Sequence, residues 1–208
     1  MSDKEKAPEI RVYIEIPEGS RVKYERDEET GDLVIDRVMP TTMGYPTNYG
    51  LIEETLGEDG DALDAFVFIS EPVMPGVSID CKIIGMLEME DEEGVDNKII
   101  CVPKKAKVDP ICGTWESLDD IPEPKKRAMH HFLEHYKDLE EGKFVKLKDW
   151  KDIKTAVEVL KKSQEKFLAA EEAMMNEMME EAMEEEGCCD CEDCGCGCKE
   201  GKTCSCGQ

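Results

Sequence analysis

The chain has 208 residues, enough for one core of the usual domain size, about 100 to 150 residues, and a short appendage. Its 50 acidic and 26 basic residues give a formal charge of −24, which repels phosphate backbones and anionic lipid heads and excludes nucleic acid as a general partner. No window approaches the roughly 20 apolar residues of a membrane span, and "MSDKEKAPEI" lacks the apolar stretch of a secretory leader. The expected setting is the cytoplasm, with no membrane partner.

The first two thirds read as β-rich. "IRVYIEI" alternates, with Ile10, Val12, Ile14 and Ile16 on one face and Arg11, Tyr13 and Glu15 on the other, the pattern of a half-buried strand. "RVKYE" and "LVIDRV", joined by the turn-rich "RDEETGD", predict a hairpin. "CKIIGMLEM" and "NKIICVP" form a second pair around the acidic loop "EDEEGVD". Short strands punctuated by turns suggest a small barrel or sandwich.

The period then changes. Met129, Phe132, Leu133, Tyr136 and Leu139 form a helical stripe that stops at Gly142. A second helical pattern is expected from Asp149 as N-cap through Ile153, Val157, Leu160 and Phe167, becoming rich in Glu and Met up to Glu186. The methionines at 174, 175, 178, 179 and 183 share one helical face and suit packing against a neighbouring helix or subunit better than copper binding. Cys81, Cys101 and Cys112 are scattered and read as small core residues.

Chemistry concentrates in "DGDALD", where Asp59, Asp61 and Asp64 crowd the entrance of the apolar run "AFVFI". A calcium loop fails, because its fifth, sixth and twelfth positions would be Leu63, Asp64 and Ser70. Asp64 lies inside the apolar segment and needs a compensating partner. Asp91 and Asp96, with Lys98 close behind, form a second acidic cluster on a loop that a barrel can bring alongside. Several carboxylates surrounded by water suit Mg2+, which commonly also takes substrate phosphate oxygens. Donors for such a phosphate are available in Lys23, Arg37, Tyr49, Lys98, Tyr136 and Lys137.

"EIPEGSRVKYE", "DRVMPTTMGYPTNYGLI", "EDGDALDAFVF", "MEDEEGVDNKIICVP" and "HHFLEHYKDLEEGKFVK" resemble, in order and spacing, the family I soluble inorganic pyrophosphatases of the compact prokaryotic type. The resemblance covers roughly residues 8 to 165. It implies an α+β fold with an OB-like five-stranded β-barrel flanked by helices, and hydrolysis of pyrophosphate with three or four Mg2+ ions. It further implies metal binding by Asp59, Asp64, Asp91 and Asp96, and a general base in Asp61. Glu15 and Glu25 would support metal-bound waters, and Tyr45 would line the site. Lys23, Arg37, Tyr49, Lys98, Tyr136 and Lys137 would grip the phosphoryl groups. The likeness also implies a homo-oligomer, with a hexamer favoured. Ala62 and Gly44 depart from the residues usual in the family, which bears on loop stiffness more than on chemistry.

The expected domains are a catalytic domain at 1–165, a Glu- and Met-rich helical extension at 166–187 and a Cys-rich, disordered tail at 188–208. The tail's Cys188, Cys189, Cys191, Cys194, Cys196, Cys198, Cys204 and Cys206 fall largely in C-x-C pairs, poorly placed for unstrained disulfides between nearest neighbours. Such spacing is similar to metallothioneins and suits Zn2+ or Cu+. A soft-metal storage or delivery protein built on the same scaffold is the alternative function, and an OB-type nucleic-acid binder is opposed by the charge.

Overall fold

The computed structural model describes residues 8–27, 30–58, 60–92 and 94–185. Asp59 and the eight tail cysteines lie outside the described residues, and so does the expected domain from 188 onward. Two compact units are present, one ending at Phe167 and the other beginning at Leu168.

Strand β1 (Glu9–Ile16) follows the alternation of its sequence and buries Val12, Ile14 and Ile16 completely. It pairs antiparallel with β4 (Asn48–Ile52) and with β6 (Ser78–Asp91), and so lies between two neighbours. Strand β5 (Asp64–Val67) pairs antiparallel with β4 and parallel with β8 (Lys98–Pro103), which returns to β6. The circuit β1-β4-β5-β8-β6 closes on itself as the expected five-stranded barrel. Closure leaves no unpaired edge in the circuit. Outside it, β2 (Val22–Arg26) and β3 (Leu33–Val38) form the first predicted hairpin, and β7 (Gly94–Val95) folds back on β6.

Alternation along the strands produces two cores. Val12, Ile14, Ala65, Val67, Ile83, Ile99 and Cys101 belong to a cluster fed by all five barrel strands and completed by Ala156 and Leu160. Their alternates, among them Phe66, Phe68, Leu87, Ile100 and Val102, pack with Met129, Phe132 and Leu133 of helix α1 (Glu123–His135). At about 25 cal/mol per Å2 of apolar surface removed from water, these two layers supply the main driving force. Cys81, Cys101 and Cys112 are free and buried, as expected.

Three local expectations need correction. The stripe assigned to the first helix continues past its end: α1 stops at His135, and Leu139 is exposed. A strand, β9 (Val145–Lys151), occupies the stretch where the second helix was expected to begin, and it pairs with β6. Asp149 is therefore a strand residue. Helix α2 (Ile153–Glu185) starts behind Asp152, whose carboxylate accepts the Thr155 N–H at 3.0 Å. "VKLKDWK" has a strand's alternation, but its pairing with the long β6 is non-local and has no signature within the segment itself.

Glycine at 44 has a steric reason. A Cβ there would lie 2.4 Å from the Gly19 carbonyl oxygen. The two chains are laced by Gly19 N–H to the Tyr45 carbonyl at 2.8 Å and Tyr45 N–H to the Ser20 carbonyl at 2.9 Å. The close approach fixes Tyr45, which is buried.

The second unit begins within α2. Met174, Met175, Met178 and Met179 are exposed there, at 58% to 65% of their surface. Among the described residues no helix is long and apolar enough to cross a membrane.

Candidate active site

A cleft of about 750 Å3 opens on the barrel and the β2-β3 hairpin. It is lined by Glu15 from β1, Lys23 and Glu25 from β2, and Arg37 from β3. Tyr45, Tyr49, Asp61 and Asp64 come from β4, β5 and the adjoining loops, Asp91, Asp96 and Lys98 from the β6-β8 region, and Tyr136 and Lys137 from the turn after α1. Every described candidate is thus in one cavity, although the set spans more than a hundred residues of sequence.

Asp64 opens β5 and meets the partner its position demands. The Lys98 ammonium lies 2.5 Å from Asp64 and 2.6 Å from Asp96. Burial alone would depress the Lys98 pKa, but the two carboxylates outweigh it and hold the ammonium well above its ordinary value. Asp96 is raised above the usual carboxylate range by burial, which the Lys98 charge only partly offsets and Asp64 reinforces. Lys137 donates to Asp91 at 2.8 Å and to both oxygens of Glu92 at 3.1 Å.

Glu15 is the outlier of β1. It sits on the predicted polar face yet is only 6% exposed, and its carboxylate accepts the Arg26 N–H at 2.8 Å. Burial, with Asp64 and Glu25 nearby, pushes its pKa up to about 7. Tyr45 and Tyr49 are in ring contact at 5.2 Å, and both phenols are pushed far up by burial. They stay protonated, so Tyr49 remains a donor.

Arg37 is held by Asp36 at 2.5 Å and Glu140 at 3.3 Å. Its buried Nε has no acceptor, the single such side-chain atom among the described residues. A donor of this kind is costly unless something arrives to accept it.

The donor set fits hard divalent cations. Its acidic side chains offer oxygen atoms, and although among the described residues no three of them are grouped to hold a metal ion by themselves, Mg2+ needs one or two carboxylates, water and substrate phosphate rather than a cage made wholly of protein. Among the described residues, seven carboxylates line the cleft against six Lys and Arg. That balance leaves no positive excess for a multiply charged anion, so added cations would be needed to admit one.

An inorganic pyrophosphatase family model matches residues 12–168. The chain belongs to the inorganic pyrophosphatase family. An inorganic pyrophosphatase of Aquifex pyrophilus is 48% identical over 159 residues, covering 76% of this chain and 89% of that protein. One of Nanoarchaeum equitans (strain Kin4-M) is 49% identical over 159 residues, covering 76% and 98%. The solved inorganic pyrophosphatase of Coxiella burnetii superposes with a TM-score of 0.74 at 42% identity, covering 80% of this chain and 99% of that one.

Sequence reasoning missed part of this pyrophosphatase-family cleft. Lys143 lines it and pairs with Glu92 at 3.4 Å, while Asp36 and Glu140 steer Arg37. Asp36 neighbours Arg37 in sequence, but nothing in "DLEEGKF" distinguishes Glu140 from Glu141 until the turn after α1 is folded.

Proposed function

We propose that the chain hydrolyses inorganic pyrophosphate to two phosphates, with Mg2+ as cofactor. The observation that carries this reading is the single cleft in which carboxylates and cationic or phenolic donors interleave, with one buried guanidinium nitrogen lacking an acceptor. Membership of the inorganic pyrophosphatase family supports it.

Asp59, Asp64, Asp91 and Asp96 would hold the divalent cations. When bound, these supply Lewis acidity, making water a better nucleophile and offsetting phosphoryl charge. Asp61 takes the proton of the attacking water. Lys23, Arg37, Tyr49, Lys98, Tyr136 and Lys137 orient the two phosphoryl groups and stabilise charge on the transferring group and the leaving phosphate. Glu15 and Glu25 hold water by hydrogen bonds, and Tyr45 walls the cleft. Lys98 and Lys137 turn from carboxylates toward phosphate oxygens as substrate enters.

The tail carries a separate proposal: its eight cysteines bind Zn2+ or Cu+, which thiolates prefer and Mg2+ does not rival. Proton release on metal binding is expected. Assembly into a homo-oligomer, of hexameric size, is proposed from the family alone.

The test is phosphate release by purified full-length protein. Rapid Mg2+-dependent release from pyrophosphate and poor release from phosphate monoesters are expected, because a monoester leaves half the donors unused. No release from pyrophosphate at saturating Mg2+ and neutral pH would overturn the reading. For the tail, metal content by mass spectrometry should be high in the full chain and low in a version ending at Glu186. Equal content would reject the tail site, and lost activity on truncation would reject its independence.

A further inference from the structure

The segment between β4 and β5, residues 53–63, presents Asp61 to the cleft. Its two ends are closed by the barrel: Ile52 N–H donates to the Leu63 carbonyl at 2.8 Å, and Leu63 N–H donates to Thr55 Oγ1 at 2.9 Å. Those bonds do not fix the middle. Helix α2 does so. Ala156, Leu160 and Ser163 fall on one helical stripe at i, i+4 and i+7, and the first two enter the barrel core.

Ser163 is buried as deeply as its apolar companions, at 4% exposure. A serine inside a helix ordinarily bonds back to its own helix or faces water. This one reaches outward. Its Oγ donates to the Leu56 carbonyl at 2.9 Å and accepts the Leu56 N–H at 2.8 Å. Both backbone groups of Leu56 are therefore held by one side chain 107 positions away. The next residue, Gly57, donates its N–H to the Asp61 carbonyl at 2.6 Å. A continuous run of hydrogen bonds and covalent links thus joins Ser163 to the backbone of Asp61. A cleft of about 140 Å3 adjoins Leu56, Gly57, Ala62 and Ser163.

We propose that Ser163 is a positioning residue for the carboxylate segment: its hydroxyl fixes Leu56, and Leu56 through Gly57 sets the backbone from which Asp61 enters the cleft. This inference rests on the pyrophosphatase reading for its consequence in catalysis, but its geometric content stands apart from it. Loss of the hydroxyl leaves the Leu56 carbonyl without its partner and its N–H with the Ser163 backbone carbonyl at 3.2 Å alone, which loosens the segment.

The test uses the full chain with Ser163→Ala, Ser163→Thr and Ser163→Val. Thr and Val have the same shape, so their difference isolates the hydroxyl. Amide hydrogen exchange without Mg2+ should show Leu56 and Gly57 opening about 10-fold faster in the Ala and Val variants, with β1 and β8 amides unchanged. In Mg2+ titrations, kcat at saturating Mg2+ should fall about 10-fold in both, more than the concentration for half-maximal activity rises. Ser163→Thr should track the parent. Thr and Val behaving alike, unchanged exchange at Leu56 and Gly57, or uniform acceleration of all amides would overturn the proposal. If the parent chain released no phosphate, the hydrolase reading would fall while the exchange pattern still decided the role of Ser163.

Discussion

Lys98 and Asp64 meet at 2.5 Å, although 34 positions separate them, and the lysine side chain is 5% exposed. The contact joins the first residue of β8 to the first residue of β5, which lie on neighbouring parallel strands. It places a cation among acidic residues that would otherwise repel one another. Removing one member of a buried charge pair leaves the other uncompensated, a change that typically costs about 3 to 5 kcal/mol. Lys98→Met should therefore lower stability by about 3 kcal/mol in metal-free buffer. Added Mg2+ should restore more stability in the variant than in the parent, because the freed Asp64 and Asp96 gain a ligand role. Thermal melts with and without Mg2+ measure both, and equal Mg2+ stabilisation of the two proteins would contradict this account.

Asp61 and Asp64 are expected to separate by role. Asp61→Asn should keep the fold and lower turnover by about 100-fold or more, the scale of lost general-base catalysis. Asp64→Asn should chiefly raise the Mg2+ requirement. Steady-state rates across a Mg2+ series distinguish them, and identical titration curves would reject the division.

Glu15 gives stability a pH dependence. Its folded pKa is about 7, against an ordinary value of 4.5. Between these values the folded chain retains a proton that the unfolded chain has lost, so the contribution is complete below pH 4.5 and fades as pH rises through 7. In metal-free protein, Glu15→Gln should remove this slope and gain up to about 3 kcal/mol over the parent at pH 8. The gain should shrink with Mg2+, which favours the ionised carboxylate. Denaturant unfolding at pH 5 and pH 8 is the measurement, and parallel pH profiles for the two proteins would contradict it.

Gly44→Ala should destabilise by roughly 1 to 3 kcal/mol, the scale of an overpacked site, because its Cβ has no room beside the Gly19 carbonyl. Tyr45 lies next in sequence and walls the cleft, so the Km for pyrophosphate should rise as well. Unchanged melting temperature and Km would show that the two chains part without penalty.

The sequence by itself determined the barrel's alternating strands, because a side-chain period of two assigns one set of apolar residues to each face whatever the partner strand is. It determined the acidic clusters too, since Asp64 at the head of an apolar run requires a counter-charge wherever the chain goes. Its motifs carried the family, and with it the residues now gathered in one cleft. What only the tertiary structure decided is non-local. The strand character of Val145–Lys151 depends on β6, and with it the shift of the helix cap from Asp149 to Asp152. Glu15 is buried because of what surrounds β1 rather than its own alternation, and the need for glycine at 44 comes from Gly19. Ser163 looks like an ordinary polar helix residue until Leu56 is brought against it. In each case the deciding energy is a steric contact or hydrogen bond between segments distant in sequence, which no local pattern can encode.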